Sequence, residues 1–126
     1  MRVDQTNLSP TCLIVDDEPA ILRLVSIVLR HLGCVTLAAS NAEAALELLE
    51  NVKPDLIITD VRMPSLDGTE LARHIKENDK LAATPVLLMS AYGEPRGHRG
   101  DDFIAKPFDI DALTDFVVPY IQRETA

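Results

Sequence analysis

The stretch DLIITDVRMPSLDG, residues 55–68, carries four apolar or β-branched residues, Leu56 to Thr59, straight into one aspartate, Asp60. Met63-Pro64 and Asp67-Gly68 follow at once. A short apolar run between Pro54 and a turn-rich segment predicts a strand buried on both faces, over Asp55–Thr59. A buried strand that ends on a charge needs a reason for the charge, because desolvating a carboxylate is costly.

The same design recurs on either side. TCLIV (11–15) is a buried strand, followed by DDEP, where Asp17 or Glu18 is positioned to cap a helix and Pro19 suits its first turn. Ile21, Leu22, Leu24, Val25, Val28, Leu29 and Leu32 recur at helical spacing, and Gly33 ends that helix. CVTLAA (34–39) is the second strand. Ser40 with Glu43 forms a capping box before a helix that carries Ala44, Ala45, Leu48 and Leu49 to about Asn51. Asp67-Gly68 opens a third helix with Leu71, Ala72 and Ile75 on one face. VLLMS (86–90) and DFIAK (102–106) are the fourth and fifth strands, and Asp109 caps a last helix that runs to about Glu124. Pro119 falls inside that helix and is expected to kink it or shift its end.

Strands alternating with helices, and strands that are apolar throughout, predict a parallel sheet covered on both faces. Five such strands suit a doubly wound, flavodoxin-like α/β fold in the order 2-1-3-4-5. Residues 1–10 read as a flexible tail and 11–124 as one domain. The 126 residues are 47% hydrophobic, which fits a single globular unit. A formal net charge of −8 argues against direct nucleic-acid binding. No run has the length of a membrane span, and the N-terminus has no secretory apolar segment. Cys12 and Cys34 match no metal-ligand spacing and read as buried thiols of a cytoplasmic protein.

In this architecture ligands bind at the carboxyl ends of the strands. Asp16 and Asp17 stand at the end of the first, Asp60 of the third, Ser90 of the fourth and Lys106 of the fifth. Strands one and three are neighbours, so three carboxylates converge. Such a cluster raises its own pKa values unless a cation intervenes, and oxygen-only ligands suit Mg²⁺. A lysine and a hydroxyl beside it complete a place for a phosphoryl group, with an aspartate as nucleophile.

The four segments LIVDDEP (13–19), DLIITDVRMPSLDG (55–68), LLMSAY (87–92) and DDFIAKPF (101–108) together resemble the receiver domain of response regulators in bacterial two-component systems. The resemblance covers about residues 11–124. It implies that Asp60 is the phosphoacceptor, fed by a histidine kinase or a phosphotransfer protein. It implies a Mg²⁺ site (Mn²⁺ being an alternative) formed by Asp16, Asp17, Asp60 and the main-chain carbonyl of Arg62. Ser90 and Lys106 would contact the phosphoryl group, Phe103 would be the switch aromatic, Arg62 and Tyr92 would set the phosphoryl lifetime, and Lys106-Pro107 would be cis. No catalysis is expected beyond gain and loss of the phosphoryl group at Asp60. An unknown downstream protein would read the switch, because no output domain is recognisable in the sequence.

One segment departs from the family. Only residues 91–101 join the fourth and fifth strands, and three of the five glycines lie there, with Pro95. A helical crossover needs about ten to twelve residues, and Gly and Pro oppose a helix. The fourth helix is therefore expected to be shortened or replaced by a loop. Arg96, His98 and Arg99 make that loop basic, either as a solvated turn or as a docking or phosphate-sensing element. Three other functions compete. An aspartate-nucleophile phosphatase of the haloacid dehalogenase type needs an acid two residues after its nucleophile, where this chain has Arg62. A flavin carrier needs small and hydroxyl residues where this chain has Asp16-Asp17-Glu18. A phosphorylation-independent scaffold (pseudo-receiver) would not need the full set of Asp16, Asp17, Asp60, Ser90 and Lys106. A receiver excised from a longer regulator or hybrid kinase would look the same.

Overall fold

The computed structural model describes residues 9–121. Five strands, β1 (Thr11–Val15), β2 (Val35–Ala39), β3 (Leu56–Asp60), β4 (Val86–Ser90) and β5 (Asp102–Ala105), form one parallel sheet in the order β2-β1-β3-β4-β5. Four helices flank it: α1 (Pro19–His31), α2 (Ala42–Leu49), α3 (Gly68–Lys76) and α4 (Ile110–Ile121). The expected strand order is observed.

Alternation along each strand divides the core in two. Leu13, Val15, Ile57 and Leu88 point to one face and pack against Ala45 and Leu49 of α2 and Leu71 and Ile75 of α3. Cys12, Ile14, Leu56, Ile58, Leu87 and Met89 point to the other and pack against Val25 and Leu29 of α1 and Leu113 and Val117 of α4. Central strands β3 and β4 are buried at every position, as a parallel sheet covered on both sides requires. Cys12 and Cys34 are both buried thiols. Among the described residues no helix is long and apolar enough to cross a membrane.

Local signals mostly act where expected, with four adjustments. The third strand is shifted by one residue, to Leu56–Asp60, so Asp60 itself belongs to the ladder opposite Met89. Asn41, not Ser40, caps α2: its backbone is extended and its side-chain oxygen accepts the Ala44 N–H at 2.7 Å. Asn caps as well as Ser does, so adjacent candidates compete on geometry. Neither Asp17 nor Glu18 caps α1 with its side chain. Asp16 Oδ1 instead accepts the Glu18 N–H at 2.9 Å. Pro10 belongs to the fold and not to a tail, since it is buried and its carbonyl accepts the Val35 N–H at 2.8 Å. The rest of the expected tail, residues 1–8, and the expected end of the last helix at Glu124 lie outside the described residues. Asp109 caps α4 by accepting the Ala112 N–H at 2.8 Å, and that helix passes through Pro119 to Ile121.

Between β4 and β5 there is no helix. The chain turns at Gly93 and Gly97, both with positive φ (92° and 65°), and closes on Asp101. Asp101 Oδ2 accepts from the Val86 N–H and from Lys76 Nζ, each at 2.7 Å, so the loop is tied to the start of β4 and the end of α3.

The N-terminus of α3 is locked by a reciprocal cap. Asp67 Oδ1 accepts the Glu70 N–H at 2.9 Å, and Glu70 Oε1 accepts the Asp67 N–H at 3.1 Å. Gly68 donates its N–H to the Val61 carbonyl at 2.8 Å. This brings the helix so close to β3 that a Cβ on Gly68 would overlap the Asp60 carbonyl oxygen. Backbone cannot yield as a flexible side chain can. Gly68→Ala should therefore destabilise the fold by about 2 kcal/mol or more, measured as a lower urea midpoint. An unchanged midpoint would mean that α3 can back away from β3 at little cost.

Candidate functional site at the carboxyl ends of the strands

β1 and β3 are adjacent and in register, Val15 opposite Thr59. The residues that follow or end them, Asp16, Asp17 and Asp60, are thereby brought together. One carboxylate oxygen from each lies within 4.8 Å of the others. Asp16 is fully buried, Asp60 is 5% exposed and Asp17 is exposed.

Lys106, immediately after β5, reaches across this group. Its Nζ is 2.8 Å from Asp16 Oδ2, 3.2 Å from Asp60 Oδ1 and 3.3 Å from Glu18 Oε1. Its backbone N–H donates to the Ser90 carbonyl at 2.9 Å, and the Lys106-Pro107 peptide is cis, as expected. Ser90 is buried at the end of β4, and its hydroxyl oxygen accepts the Tyr92 N–H at 3.0 Å. That leaves the hydroxyl proton to donate to another acceptor.

The Arg62 guanidinium lies over the Tyr92 ring, 4.4 Å from its centre, in cation–π contact. With Asp17, Glu18, Asp60, Ala91 and Lys106 this pair lines a cleft of about 310 Å³ whose floor carries Asp60. Phe103 is set apart. It is half-buried and packs against the core on the α2–α3 side, and it does not line the cleft. Glu18 is the residue that sequence reasoning took only for a cap. The run of three consecutive acids was the available signal, but not which of them would meet a lysine 88 positions away.

Negative charge is in excess here. Four carboxylates (Asp16, Asp17, Glu18 and Asp60) face Lys106 and the rim guanidinium of Arg62. Burial, then the charge of Asp16, raises the Asp60 pKa from 3.8 to about 6, against the lowering pull of Lys106. Burial likewise raises Asp16, although Lys106 opposes it. Burial works against the Lys106 ammonium, but bonding to Asp16 and the charges of Asp16 and Asp60 outweigh it and raise its pKa. The cluster therefore lacks positive charge, and a hard divalent cation fits its all-oxygen donor set.

The profile of the response regulator receiver domain matches residues 12–118. Sporulation initiation phosphotransferase F of Bacillus subtilis is 35% identical over 115 residues, 86% of this chain and 91% of that protein. The receiver domain of a signal transduction histidine kinase from Syntrophus aciditrophicus superposes with a TM-score of 0.83 at 31% identity, over 94% of this chain and 97% of that one. The response regulator TrrA of Thermotoga maritima, solved in complex with Mg²⁺-BeF, gives 0.79 at 31% identity, over 88% and 98%. Other curated regulators match at 32–34% identity, but the chain spans only 25–50% of their length.

The raised Asp60 pKa has a consequence for stability. Between about pH 4 and 6 the folded protein holds a proton that the unfolded chain has released. The stabilising contribution is therefore full below pH 3.8 and is lost as pH rises through about 6. Asp60→Asn, which carries no charge, should be more stable than the parent at pH 7.5 by about 1–3 kcal/mol. The gain should shrink toward pH 4. Urea unfolding of both proteins at the two pH values checks this, and a gain that does not depend on pH would show that neither burial nor the Asp16 charge raises the cost of ionising Asp60.

Proposed function

The chain belongs to the response regulator receiver domain family, and we propose on that footing that it is a phosphoacceptor module of two-component signalling in which Asp60 takes the phosphoryl group. The observation that carries this is the position of Asp60. It is a nearly buried carboxylate at the end of a central strand, on the floor of a small cleft, with a lysine ammonium 3.2 Å away.

In the transfer, one Asp60 carboxylate oxygen forms the new P–O bond. The P–N bond of a phosphohistidine donor breaks, and its electron pair stays on the departing imidazole nitrogen. Little covalent chemistry is asked of the protein, so positioning and charge stabilisation carry the rate. Lys106 is already within reach of an oxygen on a group attached to Asp60. Ser90 supplies a hydroxyl donor from the neighbouring strand. Asp16, Asp17, Asp60 and the Arg62 carbonyl would hold Mg²⁺, or Mn²⁺ in its place. When bound, the ion offsets negative charge on the transferring group. Supporting the ion are the three converging carboxylates and the Mg²⁺-BeF complex of the similar TrrA.

The donor is read as a histidine kinase or a phosphotransfer protein, and the output as altered binding to a partner, with Phe103 as the aromatic that moves. No turnover of an outside substrate is proposed beyond the gain and loss of the phosphoryl group at Asp60. Arg62 in place of a second acid two residues after the nucleophile supports that limit. The Arg62–Tyr92 stack covers one side of the cleft and restricts water at the acyl phosphate.

Acetyl phosphate with Mg²⁺ should add one phosphoryl group to the intact protein by mass spectrometry, and none to Asp60→Asn or in the presence of a chelator. No addition from either acetyl phosphate or a phosphohistidine protein would sink the reading and favour a scaffold. Tyr92→Ala, which removes the ring but no charge, should shorten the half-life of the phosphorylated form severalfold. An unchanged half-life would show that the stack does not control water access.

A further inference from the structure

The loop that replaces the fourth helix encloses a second cavity, of about 220 Å³, against the first turns of α3. Three arginines contribute to its lining: Arg73 from α3, and Arg96 and Arg99 from the loop. In a chain of net charge −8 this is a local reversal of sign.

Each acid nearby already has a partner. Glu77 bridges Arg73 and Arg99 from outside the cavity, at 3.3 and 3.7 Å. Asp101 is bound to Lys76 and Glu94 to His98. Glu70, the sole acid on the wall among the described residues, is held in the α3 cap. Arg96, an exposed residue of the lining, has no ion pair or hydrogen bond among the described residues and so brings a positive charge without a counter-charge.

The loop is also shaped in advance. His98 is nearly buried, and its Nδ1 accepts the Gly100 N–H at 3.0 Å. The neutral ring then carries its proton on Nε2, which meets Glu94 Oε2 at 2.8 Å. Gly100 presses on Leu88 and the Val86 carbonyl, where a Cβ would stand only 3.1 Å from each. Arg96 and Arg99 are therefore presented on a braced turn opposite Arg73 of α3, which lowers the ordering cost of binding.

We propose that this cavity binds a phosphate group, free or as a small phosphate monoester, between Arg73, Arg96 and Arg99. A carboxylate would bring one charge and two oxygens, which Glu77 already supplies to two of these arginines. A phosphate monoester brings close to two charges and three terminal oxygens, matching three guanidinium forks. Only a ligand of that charge gains over the resident glutamate. The site does not depend on the chemistry at Asp60, and it lies where bound anion would stiffen the loop that joins β4 to β5.

The test is an amide NMR titration of the full chain bearing Asp60→Asn, without divalent metal, so that no phosphoryl group can be taken up at position 60; phosphate bound at the strand-end cleft would show as shifts there. Inorganic phosphate and glycerol 3-phosphate at pH 8 are compared with sodium acetate and sodium chloride at equal ionic strength. Saturable shifts confined to residues 69–73 and 96–100, induced by a phosphate and not by acetate, are expected. Arg96→Gln should weaken them about tenfold, with Arg96→Lys intermediate. If only glycerol 3-phosphate binds, the ligand is a monoester; if inorganic phosphate binds equally, the phosphate group suffices. Equal shifts with chloride or acetate, shifts elsewhere, or full binding by Arg96→Gln would overturn the proposal.

Discussion

Everything at the carboxyl end of the sheet depends on an imbalance of charge that the topology enforces. A parallel sheet that places β3 beside β1 in register must place Asp60 beside Asp16, because both stand at the same level of neighbouring strands. Neither can be moved away without shifting a strand buried on both faces. Among the described residues Lys106 is the one ammonium that reaches both, and it approaches from the far edge of the sheet, across β4. Because Lys106 is shared among Asp16, Asp60 and Glu18, it satisfies none of them fully. Burial first, and then the charge of Asp16, push Asp60 up to about 6, and Lys106 offsets only part of that rise. Stability is spent here to hold a carboxylate in a position that favours added positive charge.

The sheet was legible because its strands are unambiguous. Runs such as Leu56–Thr59 and Val86–Met89 have no polar face, so only a doubly covered parallel arrangement accommodates them. The strand ends then follow, and with them Asp16, Asp17, Asp60, Ser90 and Lys106. Two finer points turn on competition between neighbouring groups of similar strength. Ser40 and Asn41 both can cap α2, and a local backbone angle decides for Asn41. Glu18 follows two other acids, and only the reach of Lys106 from a distant strand separates a site residue from a helix cap. Phe103 lies on the core side and away from the cleft because side chains alternate along β5, a fact that depends on register and not on composition.

The absent helix was legible for a different reason, namely that length and glycine content forbid it. What forbids a helix does not specify the loop that takes its place. That loop is organised by contacts no local pattern announces: Asp101 closes onto Val86 and Lys76, and His98 folds back onto Gly100. Gly100 in particular reads as one more flexible residue, whereas in the fold it is the point where the loop rests on the sheet.

Under the proposed function, this loop changes how a signal at Asp60 would leave the site. A helix between β4 and β5 would move as a rigid unit and carry a face of its own. Here β4 leads from Ser90 into a turn hinged at Gly93 and returns at Asp101, which is pinned to the end of α3. A displacement at Ser90 therefore has two paths, through the turn to α3 or along β5 to Phe103. The first path crosses the arginine-lined cavity, where a bound anion would tie Arg96 and Arg99 to Arg73 and so couple the loop to α3 more tightly. The second does not. Any ligand of that cavity would then bias which surface of the domain responds, by bracing one of two mechanically distinct routes rather than by altering the chemistry at the strand ends.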